Sequence, residues 1–550
     1  MVFKLIRQIS TLVHAADQIR HMGRRGNLAL DRAIAADGIR QGDVPHETQD
    51  DRVAHTLADY LAMPGFNIDG KGIYVGAVEG EYLFFDSNQP SILFYGNSQT
   101  GKFTTSIAYQ LANLTALTCI MLDPKGEGYL RSVEHRMLEQ GATSVFALCA
   151  DESLAIPTAG FNPLGFLPKM VDAGENIDSD AREIIEALFS TSAKKTDHRD
   201  KEEHWTVSQA KDFFFLFIVA YAYLEREGLT LGGLFDFVHE EDKVFWDYIA
   251  LWKDHPGVSQ TCRQTASALL DEFVTSIPAK DADGNTRFNK HGRPIWDWGY
   301  KHDKAKQYLS NIRERMRSAV RAYSPESGFR KITDETNFDV SILAEKPSSL
   351  FVVLPERYPE VGAKWATLMF DALFRELNLL NANKTKPVWI MDELTTLPPI
   401  PRYMERINRM ASKGHRFLSY AHSPGSFDQV YGKGAAEALE ECSVLTIGWH
   451  VTNDRLLGKV SDLAGERTVA YESHSVSDNV DADGSSRSLQ TTKIRNATKS
   501  QVAGITHGRA WILLDGYPSV GVLDRPPFYE NADYASAIGP QIEAILQAAE

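Results

Sequence analysis

The chain has 550 residues, is 43% hydrophobic and 24% charged, and carries a formal net charge of −15. That length allows roughly two to four domains with cores of their own, and the acidic balance excludes a surface coated all round by nucleic acid, leaving only a confined basic channel. The four cysteines, Cys119, Cys149, Cys262 and Cys442, are widely spaced with no CxxC and no Cys/His cluster. This excludes a disulfide framework and a zinc site and suits a reducing, cytosolic compartment.

At the N-terminus Val2, Leu5, Ile6, Ile9, Leu12, Val13, Ala16 and Ile19 recur at three-and-four spacing, with Lys4, Arg7, Gln8 and Asp17 on other faces. The pattern predicts an amphipathic helix within an N-terminal segment spanning residues 1–65. Two placements stand open for it: packing on the protein's own body or a neighbouring subunit, or docking on a membrane surface or partner. There is no uninterrupted apolar stretch with a small-residue cleavage site, so no secretory signal is read.

Residues 66–170 alternate strand-like and helix-like segments, which implies a parallel sheet covered by helices. The apolar run Ile92 to Tyr95 is followed by Gly96, Asn97, Ser98, Gln99, Thr100, Gly101, Lys102, Phe103 and Thr104, and then by a helix-like stretch to Leu111. Strand, glycine-bearing loop and helix in that order make a phosphate-binding loop. Backbone N–H groups wrap the phosphates, Lys102 supplies a point charge, and a hydroxyl after the lysine normally ligates Mg²⁺. Phe103 stands where that hydroxyl belongs. Thr104 or Thr105 is the candidate substitute, although one residue along a helix turns a side chain by about 100°. A second strand, Thr118 to Leu122, leads into Asp123, and Val145 to Leu148 reads as a third.

Residues 171–335 change to long helical periodicity and read as an inserted all-α domain. Its longest apolar run, Phe213 to Leu224, falls short of the roughly 20 residues that span a bilayer and is expected as a buried helix. The stretch Asp281 to Gly299 reads as a pair of turns. Alternation resumes over residues 336–530, with strands at Leu350 to Leu354, Pro387 to Met391, Phe417 to Ala421, Val444 to His450 and Ala510 to Leu514. Residues 531–550 read as a C-terminal helix, and the Ser/Asp/Gly-rich stretch Ser473 to Ser488 as a mobile loop.

The strand ending in Met391 runs into Asp392 and Glu393. An Asp that holds Mg²⁺ and an acidic neighbour that orients and deprotonates water are what a phosphate loop needs opposite it. Arg402, Arg406, Arg409 and Lys413, spaced four, three and four, share one face if helical, and Arg313, Arg317 and Arg321 form a similar stripe. Either is a solvated basic face, a wall for a phosphate backbone, or a source of an arginine that reaches a neighbouring subunit's nucleotide.

Several segments in order resemble the type IV secretion coupling proteins, the TraG/TraD-like ATPases of conjugation. They are Leu122-Asp123-Pro124-Lys125-Gly126-Glu127, Phe161-Asn162-Pro163-Leu164, His204-Trp205, Asp392-Glu393-Leu394, Tyr431-Gly432 and Ser461-Asp462-Leu463-Ala464-Gly465. The resemblance spans about residues 90 to 525. It implies a RecA-like P-loop NTPase domain of α/β class with an inserted all-α domain, ATP and Mg²⁺ as cofactors, and a homo-hexameric ring at the cytoplasmic face of the inner membrane. Single-stranded DNA, a relaxase–DNA complex or protein effectors would be its cargo, and type IV secretion channel components its partners. The family usually has two transmembrane helices ahead of the ATPase; none is read here, which leaves a peripheral membrane association. On that pattern Lys102, Glu393, His422 and Arg409 are the catalytic candidates, and Asp392 and Thr104 the metal candidates. His422 stands where the family usually has a Gln that senses the γ-phosphate, and would add pH dependence. Some members carry an arginine finger where this chain has Ala411, so Arg409 or Lys413 substitutes. The alternative is a scaffold that binds nucleotide, hydrolyses it weakly and recruits secreted proteins.

Overall fold

A computed structural model describes residues 53–86, 91–97, 100–189, 201–281, 285–288, 294–355, 357–380, 384–476, 485–505, 508–517 and 519–539. The amphipathic helix expected over Val2 to Ile19, the loop residues Ser98 and Gln99, and the part of the C-terminal helix beyond residue 539 lie outside the described residues. By contacts the described residues form two units, one holding residues 53–460 and 499–539, the other residues 461–498.

The strands of the larger unit are β1 (Val53–Ala54), β2 (Phe66–Asn67), β3 (Ile73–Val78), β4 (Glu81–Phe85), β5 (Ser91–Gly96), β6 (Cys119–Asp123), β7 (Val145–Cys149), β8 (Val274–Pro278), β9 (Trp296–Tyr300), β10 (Ser349–Val353), β11 (Val388–Met391), β12 (Arg416–Ala421) and β13 (Leu445–Trp449). The hairpin of the smaller unit adds β14 (Glu466–Val476) and β15 (Ser485–Arg495), and β16 (Arg509–Leu514) and β17 (Val520–Asp524) return to the larger one. Thirteen strands form one sheet in the order β2-β4-β3-β17-β16-β13-β5-β12-β11-β6-β10-β7, with β1 paired to β17. From β13 to β7 every pairing is parallel. These strands are continuous apolar runs because both faces are covered; every residue of β5, β6, β10, β11 and β13 is buried. The alternation of the sequence anticipated this parallel core. It did not anticipate the antiparallel wing in which β16 pairs β13, β17 pairs β16 and β3, and β4 pairs β3 and β2.

Register aligns the C-terminal ends of the central strands. Tyr95 pairs Ala421, Gly96 pairs Trp449, Met391 pairs Ser419 and Leu122, and Val353 pairs Asp123. Whatever follows those residues therefore emerges along one edge, where an open α/β sheet forms its crevice.

Between β7 and β10 the described residues are mainly helical, with one antiparallel hairpin, β8 with β9; the turn residues expected within Asp281 to Gly299, Asp283-Gly284 and His291-Gly292, lie outside the described residues. The central helix of this region is Lys201–Leu224. Within it His204–Leu224 is long and apolar enough by composition to cross a membrane, longer than the run read from the sequence. Its Phe213 to Ala220 side chains are buried inside the protein, at 0–1% exposure. Phe213 meets Phe245 and Trp246, and Phe217 meets Tyr221 and Phe237. Each such ring removed from water contributes about 2 kcal/mol, which is why an all-round apolar helix sits in a core.

In the smaller unit β14 and β15 pair antiparallel from Glu466↔Arg495 to Val476↔Ser485. Ser473 to Val476 and Ser485 to Ser488 are thus strand rather than mobile loop; residues 477–484 lie outside the described residues. The Ser/Thr content that reads as loop is compatible with a ribbon whose backbone groups satisfy one another.

Candidate nucleotide-binding site

The loop after β5 is shaped by its neighbours. The indole of Trp449, register partner of Gly96, lies against it so closely that a Cβ on Gly96 would sit 2.5 Å from the ring. Gly96 is therefore demanded by packing, independently of any phosphate. Gly101 has φ +80°, the left-handed region that a side chain resists. From Lys102 the chain enters a single π turn, Phe103–Ile107, which continues as the α-helix Ala108–Asn113. Such single π turns occur frequently at functional sites.

Lys102 is 7% exposed, and its ammonium donates to Glu393 Oε1 at 3.1 Å across 291 positions of sequence. The turn after β11 makes this contact: Glu393 has φ +55°, unusual for a residue with a side chain, and opens the short 3₁₀ turn Leu394–Thr396. A left-handed non-glycine residue costs roughly 1–3 kcal/mol and persists where surrounding structure enforces it. β12 lies between β5 and β11, so His422, just past its end, faces the same carboxylate with Nε2 3.9 Å from Glu393 Oε1.

Asp392 is part-buried, and its Oδ1, a buried atom, has no hydrogen-bond partner. Burial pushes its carboxyl up to about 7; Lys102 opposes this, and Glu393, Asp123 and Glu127 reinforce it. Asp123, at the end of β6, is pushed up to about 6 by burial although the Tyr129 N–H donates to it at 2.8 Å. It thereby fixes the start of the helix Glu127–Gln140. Glu127 holds Arg131 at 3.0 Å, and the Arg131 guanidinium lies over the Phe103 ring, 5.7 Å from its centroid. The Asp-Pro-Lys-Gly-Glu segment thus reaches the residue that replaces the usual hydroxyl. The Thr104 hydroxyl donates back to Gly101 O at 3.3 Å and the Thr105 hydroxyl to the same oxygen at 2.7 Å.

The structure brings Lys102, Asp392, Glu393 and His422 together; Arg409 is not among them. It is exposed, in the last turn of the helix Tyr403–Ala411. That helix runs back from the end of β11 to the start of β12, the opposite edge of the parallel strands. The basic stripe does not form a single helical face, because the helix stops at Ala411 and Arg402 is its cap, with φ +52°. Arg402 pairs with Glu183 at 2.8 Å, and Arg406 with the buried Asp371 at 2.5 Å. Lys413 donates to the carbonyls of Asn378 and Leu380. In the other stripe Arg313 is buried, paired with Asp242 at 2.8 Å and stacked on Phe245. These paired cations hold the fold together and are poor walls for a phosphate backbone.

Two residues beside the loop carried no signal in the sequence. The Trp449 indole donates to Thr100 Oγ1 at 2.8 Å, and Arg525, 3% exposed, stacks its guanidinium 3.5 Å from the Trp449 ring centroid. Arg525 follows β17 and lies 424 positions from Gly101, so no spacing argument connects them.

These residues fit a nucleotide phosphate chain and one Mg²⁺. A buried carboxylate oxygen without a partner is an acceptor left open beside Lys102 and Glu393, and Mg²⁺ is usually held by one or two carboxylates, phosphate oxygens and water. Among the described residues no group of three or more His, Cys, Asp or Glu side chains could hold a metal. Asp392 would carry the protein's share, since Phe103 offers no oxygen.

The family described as type IV secretory system conjugative DNA transfer matches residues 63–544. No curated protein matches the chain. Among solved structures, the bacterial conjugative coupling protein TrwB lacking its first 70 residues, in an unbound form, superposes with a TM-score of 0.57 at 15% identity, covering 89% of this chain and 96% of that one. TrwB in complex with the non-hydrolysable ATP analogue ADPNP gives 0.56 at 14% identity, and TrwB with ADP and Mg²⁺ gives 0.53 at 13%, with the same coverage. At such identity the likeness speaks for the fold: a RecA-like P-loop NTPase with an all-α domain.

Proposed function

The chain belongs to the conjugative DNA transfer family of type IV secretory systems, and from that premise we propose that it is an ATP-dependent coupling protein. It recruits single-stranded DNA, a relaxase–DNA complex or protein effectors to the secretion channel and uses ATP hydrolysis to drive their transfer. The observation that carries this reading is the part-buried Lys102–Glu393 pair beside Asp392, whose Oδ1 lacks a partner. TrwB has been solved with ADPNP and with ADP and Mg²⁺, which supports the same cofactors here.

In this reading Lys102 and the N–H groups of the loop, residues Gly96 to Thr104, bind the phosphates, which draws Lys102 off Glu393. Glu393, so released, orients a water and takes its proton. His422 donates a hydrogen bond to the terminal phosphate. Asp392 would hold Mg²⁺, with the Thr104 hydroxyl the candidate substitute for the one missing at Phe103, and the ion would supply neutralisation of phosphate charge. Arg409, at the opposite edge of the parallel strands, acts on the nucleotide of a neighbouring subunit in a homo-hexamer. The ring sits at the cytoplasmic face of the inner membrane, against channel components.

The test is the ATPase rate and the mass of the purified protein, each with and without single-stranded DNA. Turnover that DNA stimulates, with a shift in mass to a hexamer, supports the reading. Phe103 favours a second one, a scaffold that binds nucleotide and hydrolyses it weakly while recruiting protein cargo; ATP binding without turnover in either condition supports that instead.

A further inference from the structure

Arg525 is a buried cation with no acid to balance it. Its side chain is 3% exposed, and none of its hydrogen bonds goes to a carboxylate. One guanidinium nitrogen, Nη2, donates to the Thr105 hydroxyl and reaches Gly101 O at 3.5 Å; the other, Nη1, has no partner. One face stacks on Trp449, whose indole donates to Thr100 Oγ1, which in turn donates to Asn97 O at 2.6 Å. The groups that act on its charge favourably are the phenols of Tyr74 and Tyr420, both held neutral by burial.

Leaving a charge inside a protein without a counter-ion costs several kcal/mol, so such groups are normally paired or neutralised. Here burial pulls the guanidinium down to about 9, which still leaves it charged at neutral pH. The missing counter-charge is therefore sought in what the neighbouring loop binds. The side-chain hydrogen bonds of Arg525 go to that loop and its first helical turn, to Gly101 O and the Thr105 hydroxyl, and Trp449 links its stacked face to Thr100.

We propose that Arg525 is the resident counter-charge of the phosphate loop: a positioning residue behind the loop whose unpaired cation is balanced by the phosphates bound in front. This rests on the nucleotide-binding reading above. It gives the last strand of the sheet a role in nucleotide affinity and explains why an arginine, rather than an apolar residue of similar volume, fills a dry site against tryptophan.

The experiment measures dissociation constants for ADP and for inorganic pyrophosphate, with the melting temperature of the ligand-free protein, in wild type, Arg525→Gln, Arg525→Lys, Thr105→Val and Lys102→Ala. The neutral Arg525→Gln is expected to weaken both ligands roughly tenfold without lowering the ligand-free melting temperature, because it removes an unpaired buried charge. Arg525→Lys, which keeps the charge, is expected to retain most of the affinity. Thr105→Val, nearly the same shape without the hydroxyl, is expected to weaken both ligands severalfold and decides the matter if Arg525→Gln does not fold. A loss for ADP but not for pyrophosphate, equal losses in the folded Gln and Lys variants, or a lower melting temperature with unchanged affinity overturns the proposal and leaves Arg525 a brace. Wild type that binds neither ligand, or Lys102→Ala that binds as wild type does, overturns the nucleotide reading itself.

Discussion

Lys102 and Glu393, 291 positions apart, form an ion pair at 3.1 Å across the end of an intervening strand. In the proposed reading the cation that would bind phosphate and the carboxylate that would activate water therefore occupy each other until nucleotide arrives. Replacing Glu393 by Gln removes the charge that holds Lys102 while keeping a polar side chain. Glu393→Gln is expected to bind ATP at least as tightly as wild type and to lose about 100-fold or more in turnover. Lys102→Ala loses both binding and turnover. Equilibrium binding of a fluorescent nucleotide beside steady-state hydrolysis separates the two, and clear turnover that survives both changes sinks the catalytic assignment.

Phe103 is half-buried against the core and lies under the Arg131 guanidinium. Phe103→Ser supplies the missing hydroxyl and is expected to lower the Mg²⁺ concentration needed for half-maximal turnover. It also loses apolar contact, costing about 2 kcal/mol of stability. A Mg²⁺ titration of hydrolysis in both proteins checks the first claim. An unchanged midpoint would mean that the metal never needed an oxygen at this position.

Gly96→Ala places a methyl 2.5 Å from the Trp449 ring, with no room to yield. The expected cost is about 1–3 kcal/mol in chemical denaturation. Trp449→Leu made together with it opens the space, so the double variant is expected to lose less than the two single losses combined. Additive losses would show that the indole does not constrain the loop.

His415 is buried and accepts the Trp389 indole N–H on Nδ1 at 3.0 Å, which requires it neutral. Burial, with Lys413 nearby, pulls its pKa from 6.5 down to about 4. The folded value lies below the unfolded one, so the stabilisation is full above about pH 6.5 and is lost as pH falls through 4. Between pH 7 and pH 5 this group alone costs about 2 kcal/mol. His415→Gln keeps an acceptor without the proton site, and its loss of stability over that interval is expected to be smaller than wild type by about that amount in paired denaturant titrations. Equal losses in the two proteins would contradict it.

The segments that fasten the fold explain part of what the sequence offered. Asn162 donates to Leu229 O at 2.7 Å and accepts from the Leu164 N–H, so the Phe-Asn-Pro-Leu segment locks a turn. Tyr431 is stacked on Phe427, with its hydroxyl near the Ile400 N–H at 3.5 Å. These are packing positions, whereas Lys102, Asp392 and Glu393 meet in the crevice. Sequence pattern cannot separate the two kinds, because both are short polar motifs at the ends of apolar runs.

Local pattern was sufficient for the parallel core, for the strand, loop and helix around Gly101, and for the acidic pair after β11. Each is written in neighbouring residues: an apolar run long enough for a buried strand, glycine where φ is positive, charge at the strand's end. The attachment of the antiparallel wing through β16 to β13 and through β17 to β3, and the dispersal of the Arg402 stripe into ion pairs and carbonyl contacts, depend on partners far along the chain. So does the position of Arg525 behind the loop, which rests on β17 lying two places from β13 in the sheet and on Trp449 turning its face to the guanidinium. Periodicity reports which face of an element is buried but not what it is buried against, and only the packed sheet decides that.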